Sequence, residues 1–127
     1  MSDRKNVLLV DDDPDFVDAV KTLVEKDGYH VNVAYDGQEG LEKVAESKPD
    51  IVILDVMMPV MDGHGMCDQL KDNPDTANIP VILLTAVADH VSTSSYTHRD
   101  MLESQAEDYI PKPVEPAELL ERIKHWL

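Results

Sequence analysis

The chain has few of the residues that would tie it to an oxidising compartment, a bilayer or a nucleic acid. It holds one cysteine in 127 residues, Cys67, so no internal disulfide can form; this favours a reducing, cytoplasmic setting. No apolar run approaches the roughly 20 residues of a membrane-spanning helix, so no membrane insertion is expected. Only Val7 to Val10 separate the first six residues from the first acidic cluster, too short for a signal-peptide core. Basic residues are scarce, with 11 Lys and Arg against 26 Asp and Glu, for a formal net charge of −15. Such a surface repels phosphate backbones, which argues against direct nucleic-acid binding and favours cations or basic partner surfaces. There is no internal repeat, low-complexity tract or interdomain linker. The expectation is one domain over 1–127, long enough for a real core and without an output domain.

What is present is a set of short apolar runs, read as strands at about 6–11, 30–35, 51–55, 80–85 and 108–111. The central one is Ile51-Val52-Ile53-Leu54-Asp55, β-branched and apolar until it stops on a carboxylate, with Pro59 shortly beyond. An isolated buried Asp is costly, so Asp55 belongs at the mouth of its strand with partners or a cation. Between the runs lie helical patterns. Asp13-Pro14 opens the first, carrying Phe16, Val20, Leu23 and Val24, and Asp27-Gly28 closes it. Leu41, Val44 and Ala45 mark a second, ending near Lys48-Pro49, and Met66, Cys67 and Leu70 a third. A further helix is expected within 92–104 after a long loop, and Pro116 opens a last one with Leu119, Leu120, Ile123 and Leu127 on one face.

Apolar strands alternating with amphipathic helices indicate an α/β fold, a parallel sheet with helices on both faces. Ligands of such sheets bind outside the carboxyl ends of the strands. The residues at those ends are Asp11, Asp12, Asp55, Thr85 and Lys112. Clustered carboxylates repel one another, and a hard divalent cation such as Mg²⁺ relieves them. A carboxylate beside it can act as a nucleophile to form an acyl phosphate, while a hydroxyl and an amine hold phosphoryl oxygens.

These residues carry a family likeness. Leu8-Leu9-Val10-Asp11-Asp12-Asp13, Ile53-Leu54-Asp55-Val56-Met57-Met58-Pro59-Val60-Met61-Asp62-Gly63, Leu83-Leu84-Thr85-Ala86 and Asp108-Tyr109-Ile110-Pro111-Lys112-Pro113 stand in the order of a response-regulator receiver domain of two-component signalling. The chain resembles that family over essentially its whole length. The resemblance implies a single doubly wound, flavodoxin-like five-stranded parallel sheet of order 2-1-3-4-5. It further implies Asp55 as phosphoacceptor from a sensor histidine kinase or phosphotransfer protein. Asp11, Asp12, Asp55 and the backbone carbonyl of Met57 would hold Mg²⁺, and Thr85 and Lys112 would contact the phosphoryl group. Thr85 and Tyr109 would form the switch, and Lys112–Pro113 would be cis. The activity would be self-directed phosphotransfer and autodephosphorylation rather than enzymatic turnover of a substrate, and the output a changed surface for an unidentified downstream protein. A homodimer through the last strand and its flanking helices is compatible with the resemblance, though no particular residue specifies it.

Other residues take plainer readings: Asp13 as helix cap, Asp62 as a turn residue with Gly63, Cys67 as core, and Met57 and Met58 as packing. Met57 and Val87, unable to orient water by hydrogen bonding, imply a comparatively long-lived phosphoaspartate. The chain departs from the family pattern in two places. The 86–99 segment is longer than usual and Ser/Thr-rich, open to being a neutral insertion, a lid or a partner surface. Gln105 replaces a usual glycine. Two other functions compete: a receiver-fold interaction module working without phosphorylation, and an Asp-nucleophile phosphatase. The phosphatase would want an acid at position 57, where Met stands.

Overall fold

β1 (Asn6–Val10), β3 (Ile51–Asp55) and β4 (Val81–Thr85) are the most apolar stretches, and they form the middle of the sheet. β2 (His30–Ala34) and β5 (Asp108–Pro111), which carry more polar residues, are its edges. In this computed structural model, which describes residues 5–55, 63–85 and 106–127, the strands run parallel in the order β2-β1-β3-β4-β5. Four helices belong to the described residues: α1 (Pro14–Lys26), α2 (Gly37–Ser47), α3 (Gly63–Asp72) and α4 (Pro116–Trp126). The helix expected within 92–104, the 86–99 segment and Gln105 lie outside the described residues.

Strand alternation divides the core into two layers. Val7, Leu9, Ile51, Ile53, Ile82, Leu84 and Ile110 face α1 and α4, meeting Val17, Val20, Val24, Leu119 and Ile123. Leu8, Val10, Val52, Leu54, Val81 and Leu83 face α2 and α3, meeting Val44, Met66, Cys67 and Leu70. Both sides of the central strands are therefore apolar and buried, which is why they read as continuous runs. Each fully buried Leu or Ile adds about 1.5–3 kcal/mol from the area it removes from water. Cys67 is wholly buried, as its core reading requires. In α2 the buried positions beside Val44 are Gly37 and Gly40, not Ala45, which is exposed. A Cβ on Gly40 would stand 2.8 Å from the Met66 thioether, so glycine lets α2 approach α3. Leu127 lies past the end of α4 and is 39% exposed, so it does not extend that helix's apolar face.

Helix ends follow local chemistry. Asp13 accepts from the N–H groups of Asp15 (3.1 Å) and Phe16 (3.4 Å), and Pro14 occupies the first turn of α1. At the other end Gly28 N–H donates to Glu25 O and Tyr29 N–H to Val24 O, with Gly28 at φ +99°. This paired closure needs a residue free to turn left-handed. Two strands stop one residue short of expectation for definite reasons. Tyr35 N–H turns to the Glu39 carboxylate at 2.7 Å, and Asp11 uses its side chain to start the turn into α1. At the start of β4, Pro80 has no N–H to give and only accepts, from Val52 N–H at 3.0 Å.

β5 and α4 are joined by a clamp on Asp108. Its carboxylate accepts from Trp126 Nε1 at 2.8 Å, from Tyr109 N–H at 2.8 Å and from Arg122 Nη1. Burial alone would raise the Asp108 pKa. The Trp126, Tyr109 and Arg122 hydrogen bonds and the Arg122 charge outweigh it, so the net shift is downward. A carboxylate depressed in the folded state adds stability above its unfolded pKa and loses it as pH falls through the folded value. Asp108→Asn is therefore expected to cost about 1–2 kcal/mol at neutral pH, discounted for the partly exposed Arg122. The deficit should shrink as pH drops below the ordinary carboxylate range. Urea unfolding of both proteins across acid pH measures this, and a constant deficit would mean that the charge is not what Asp108 contributes.

Candidate functional site

The carboxyl edge of the sheet gathers its polar side chains through ordinary strand endings. Asp11 N–H still bonds across the sheet to Ala34 O at 3.1 Å, while its Oδ1 accepts from Asp13 N–H at 3.0 Å and turns the chain into α1. That leaves Oδ2 for the Lys112 ammonium, which follows β5. On the neighbouring strand Asp55 ends β3, and on the next Thr85 ends β4, with Asp55 paired to Leu84 and Thr85 to Pro111. Lys112 N–H donates to Thr85 O at 2.6 Å, which fixes the lysine beside the end of β4, and the Lys112–Pro113 bond is cis.

The Lys112 ammonium lies 3.0 Å from Asp11 Oδ2 and 3.4 Å from Asp55 Oδ1. Asp11 is fully buried and Asp55 is 5% exposed, whereas Asp12 is exposed. Oxygens of Asp11, Asp12 and Asp55 lie within 4.8 Å of one another. Burial on its own lowers the Lys112 pKa; the hydrogen bond and charge of Asp11, then those of Asp55, raise it above the ordinary lysine value. Three carboxyl groups thus stand against one ammonium in the cluster. A set of hard oxygens this close fits a divalent cation such as Mg²⁺. The Thr85 hydroxyl is buried and has no hydrogen-bond partner among the described residues, which is unusual enough to require a reason.

Asp11, Asp12, Asp55 and Lys112 thus lie close together at the carboxyl edge of the sheet, and Thr85 ends its strand at the same edge, with its carbonyl on Lys112 N–H. Met57, the expected carbonyl ligand, and Val87, its companion in the lifetime argument, lie outside the described residues. Tyr109 stands apart from the acids. It is half-buried on β5 against the α2 and α3 layer, two residues before the Pro111 that pairs with Thr85. Two features of the structure have no signal in the sequence. The Phe16 ring lies under the Lys112 ammonium, 4.6 Å from its centroid. At the opposite edge Lys71, whose side chain is only 6% exposed, is held by Ala77 O, Ile79 O and Glu107 Oε2. Glu107 also accepts from Val81 N–H at 2.8 Å, so this lysine ties α3 to the starts of β4 and β5.

Residues 7–124 match the response regulator receiver domain. The chain belongs to that family. Its relatives include the transcriptional regulatory protein CseB of Streptomyces coelicolor, 38% identical over 98% of this chain and 50% of CseB. Another is the DNA-binding response regulator MtrA of Mycolicibacterium smegmatis, 36% identical over 95% of this chain and 50% of MtrA. The receiver domain thus spans about half the length of the curated relatives it matches. Among solved structures, the signal receiver domain of a signal transduction histidine kinase from Syntrophus aciditrophicus aligns with a TM-score of 0.89 at 34% identity, covering 97% of this chain and 89% of that one. The chemotaxis protein CheY4 of Vibrio cholerae aligns at 0.85 and 29% identity, covering 98% and 99%. Such receiver domains belong to two-component systems, in keeping with a phosphorylation-dependent signalling role. No helix among the described residues of this receiver domain is long and apolar enough to cross a membrane.

Proposed function

We propose that this receiver domain is a switch set by a phosphoryl group on Asp55. The observation that carries the proposal is the placement of Asp55 beside a paired lysine and next to a strand that ends on a buried hydroxyl with no partner among the described residues. A carboxylate oxygen of Asp55 attacks the phosphorus of a phosphohistidine on a sensor kinase or phosphotransfer protein. The P–N bond breaks, its electron pair stays on the ring nitrogen, the imidazole leaves neutral with the proton already on its other nitrogen, and a mixed carboxylic–phosphoric anhydride remains on Asp55. Lys112 neutralises one phosphoryl oxygen, and the Thr85 hydroxyl donates to another. Later attack by water on phosphorus releases inorganic phosphate and restores the carboxylate.

Asp11, Asp12 and Asp55 would hold Mg²⁺, which when bound supplies positive charge against the transferring phosphoryl oxygens. The phosphate favours one conformer only through bonds it makes better there, and Thr85 and Lys112 supply them. The response passes from Thr85 to Tyr109, on the same sheet face and one strand over, and emerges as a changed protein-binding surface. We assign to this region the receipt of the signal and not the gripping of DNA named for MtrA, in keeping with its net charge of −15. Intact-mass spectrometry after incubation with acetyl phosphate tests the chemistry. One phosphoryl adduct is expected with Mg²⁺ and none after chelation. No adduct on folded, Mg²⁺-binding protein would favour an interaction module that works without phosphorylation.

A further inference from the structure

We propose that Phe16 is a positioning residue for this phosphotransfer, its ring face holding the Lys112 ammonium in line with Asp55; the inference rests on the receiver chemistry proposed above. The Lys112 ammonium meets Asp11 Oδ2 at 3.0 Å, Asp55 Oδ1 at 3.4 Å and the Phe16 ring at 4.6 Å. The two carboxylates change during the reaction. Asp55 loses its charge when its oxygen becomes part of the anhydride, and Asp11 is shared with any cation in the cluster. The aromatic ring does not change. Its negative face attracts an ammonium without competing for a proton or a metal. It therefore keeps a long, flexible side chain in place while its ionic partners are exchanged.

Phe16 is itself well fixed. It sits in the first turn of α1, begun by the Asp11 and Asp13 side chains, and packs against the core layer shared by α1 and α4. With Val114, Pro116 and Leu119 it also lines an apolar groove between those helices. A purely structural role in that packing would be kept by leucine, whereas holding the ammonium needs a ring.

The test is the rate of adduct formation from acetyl phosphate at saturating Mg²⁺, for wild type, Phe16→Leu and Phe16→Tyr, each with and without Lys112→Ala. Phe16→Leu is expected to slow the reaction about two- to fivefold, the worth of a partly exposed cation–π contact. Phe16→Tyr should react at the wild-type rate, and in the Lys112→Ala background neither change should matter. Urea unfolding checks that all variants are folded. An unchanged rate in Phe16→Leu overturns the inference, as does equal slowing with and without Lys112, or failure of tyrosine to restore the rate. Absence of an adduct in the wild type would overturn the receiver chemistry itself, and the inference with it.

Discussion

Asp55→Ala is expected to take up no phosphoryl group from acetyl phosphate under conditions in which the wild type takes up one. Three carboxylates share the edge, so the choice among them has to be argued. Asp11 is fully buried, with one oxygen on Asp13 N–H and the other on Lys112, so a donor cannot approach it in line. Asp12 is exposed but has no described pairing with Lys112. Asp55 alone combines a slight opening to solvent with the lysine at 3.4 Å and a strand neighbour, β4, that ends on Thr85. Phosphoryl transfer depends on positioning and charge compensation, and only this carboxylate has both within reach. The measurement is intact mass, with peptide mapping of any wild-type adduct. A Mg²⁺-dependent adduct that persisted in Asp55→Ala would mean that another acid is the acceptor.

The cluster was legible because a parallel sheet brings the ends of all its strands to one edge. Reading where each apolar run stops was therefore enough to bring Asp11, Asp55, Thr85 and Lys112 together. The Asp13 cap and the Gly28 closure were legible for a different reason: their partners lie within a few residues. In the sequence Phe16 is only an apolar position of α1. Its contact with Lys112, like the Lys112–Asp11 pair that joins residues 101 apart, depends on how α1 sits against the β5–α4 connection. Periodicity says which face of a helix is buried, and says nothing about which cation rests on that face. Lys71 was missed in the same way. A lysine near the end of a helix ordinarily reads as solvated, and only the return of the chain at Ala77, Ile79 and Glu107 gives its ammonium acceptors.

Thr85→Val should give a protein more stable than the wild type and less able to respond to its own phosphate. The hydroxyl is buried, the residue 4% exposed, and Oγ1 has no partner among the described residues. Leaving such a group unsatisfied costs about 1–3 kcal/mol, and a methyl in its place removes that cost. Valine also suits a strand position, and the Thr85 carbonyl that receives Lys112 N–H is unaffected by the change. The opposite effect appears on phosphorylation. A hydroxyl donating to a phosphoryl oxygen is a charge-assisted bond worth about 1.5–3 kcal/mol, or roughly tenfold or more in the balance between two conformers. Thr85→Val keeps Asp55 and Lys112 and so should still accept phosphate, but without the bond that would draw β4 toward it. Thr85→Ser keeps the hydroxyl and should retain the response. Urea unfolding gives the first quantity, and the change in Tyr109 solvent exposure on phosphorylation, followed by NMR, gives the second. A Thr85→Val protein less stable than the wild type would show that the hydroxyl is satisfied in the resting state. A full Tyr109 response in that variant would show that the phosphate acts through a route other than Thr85.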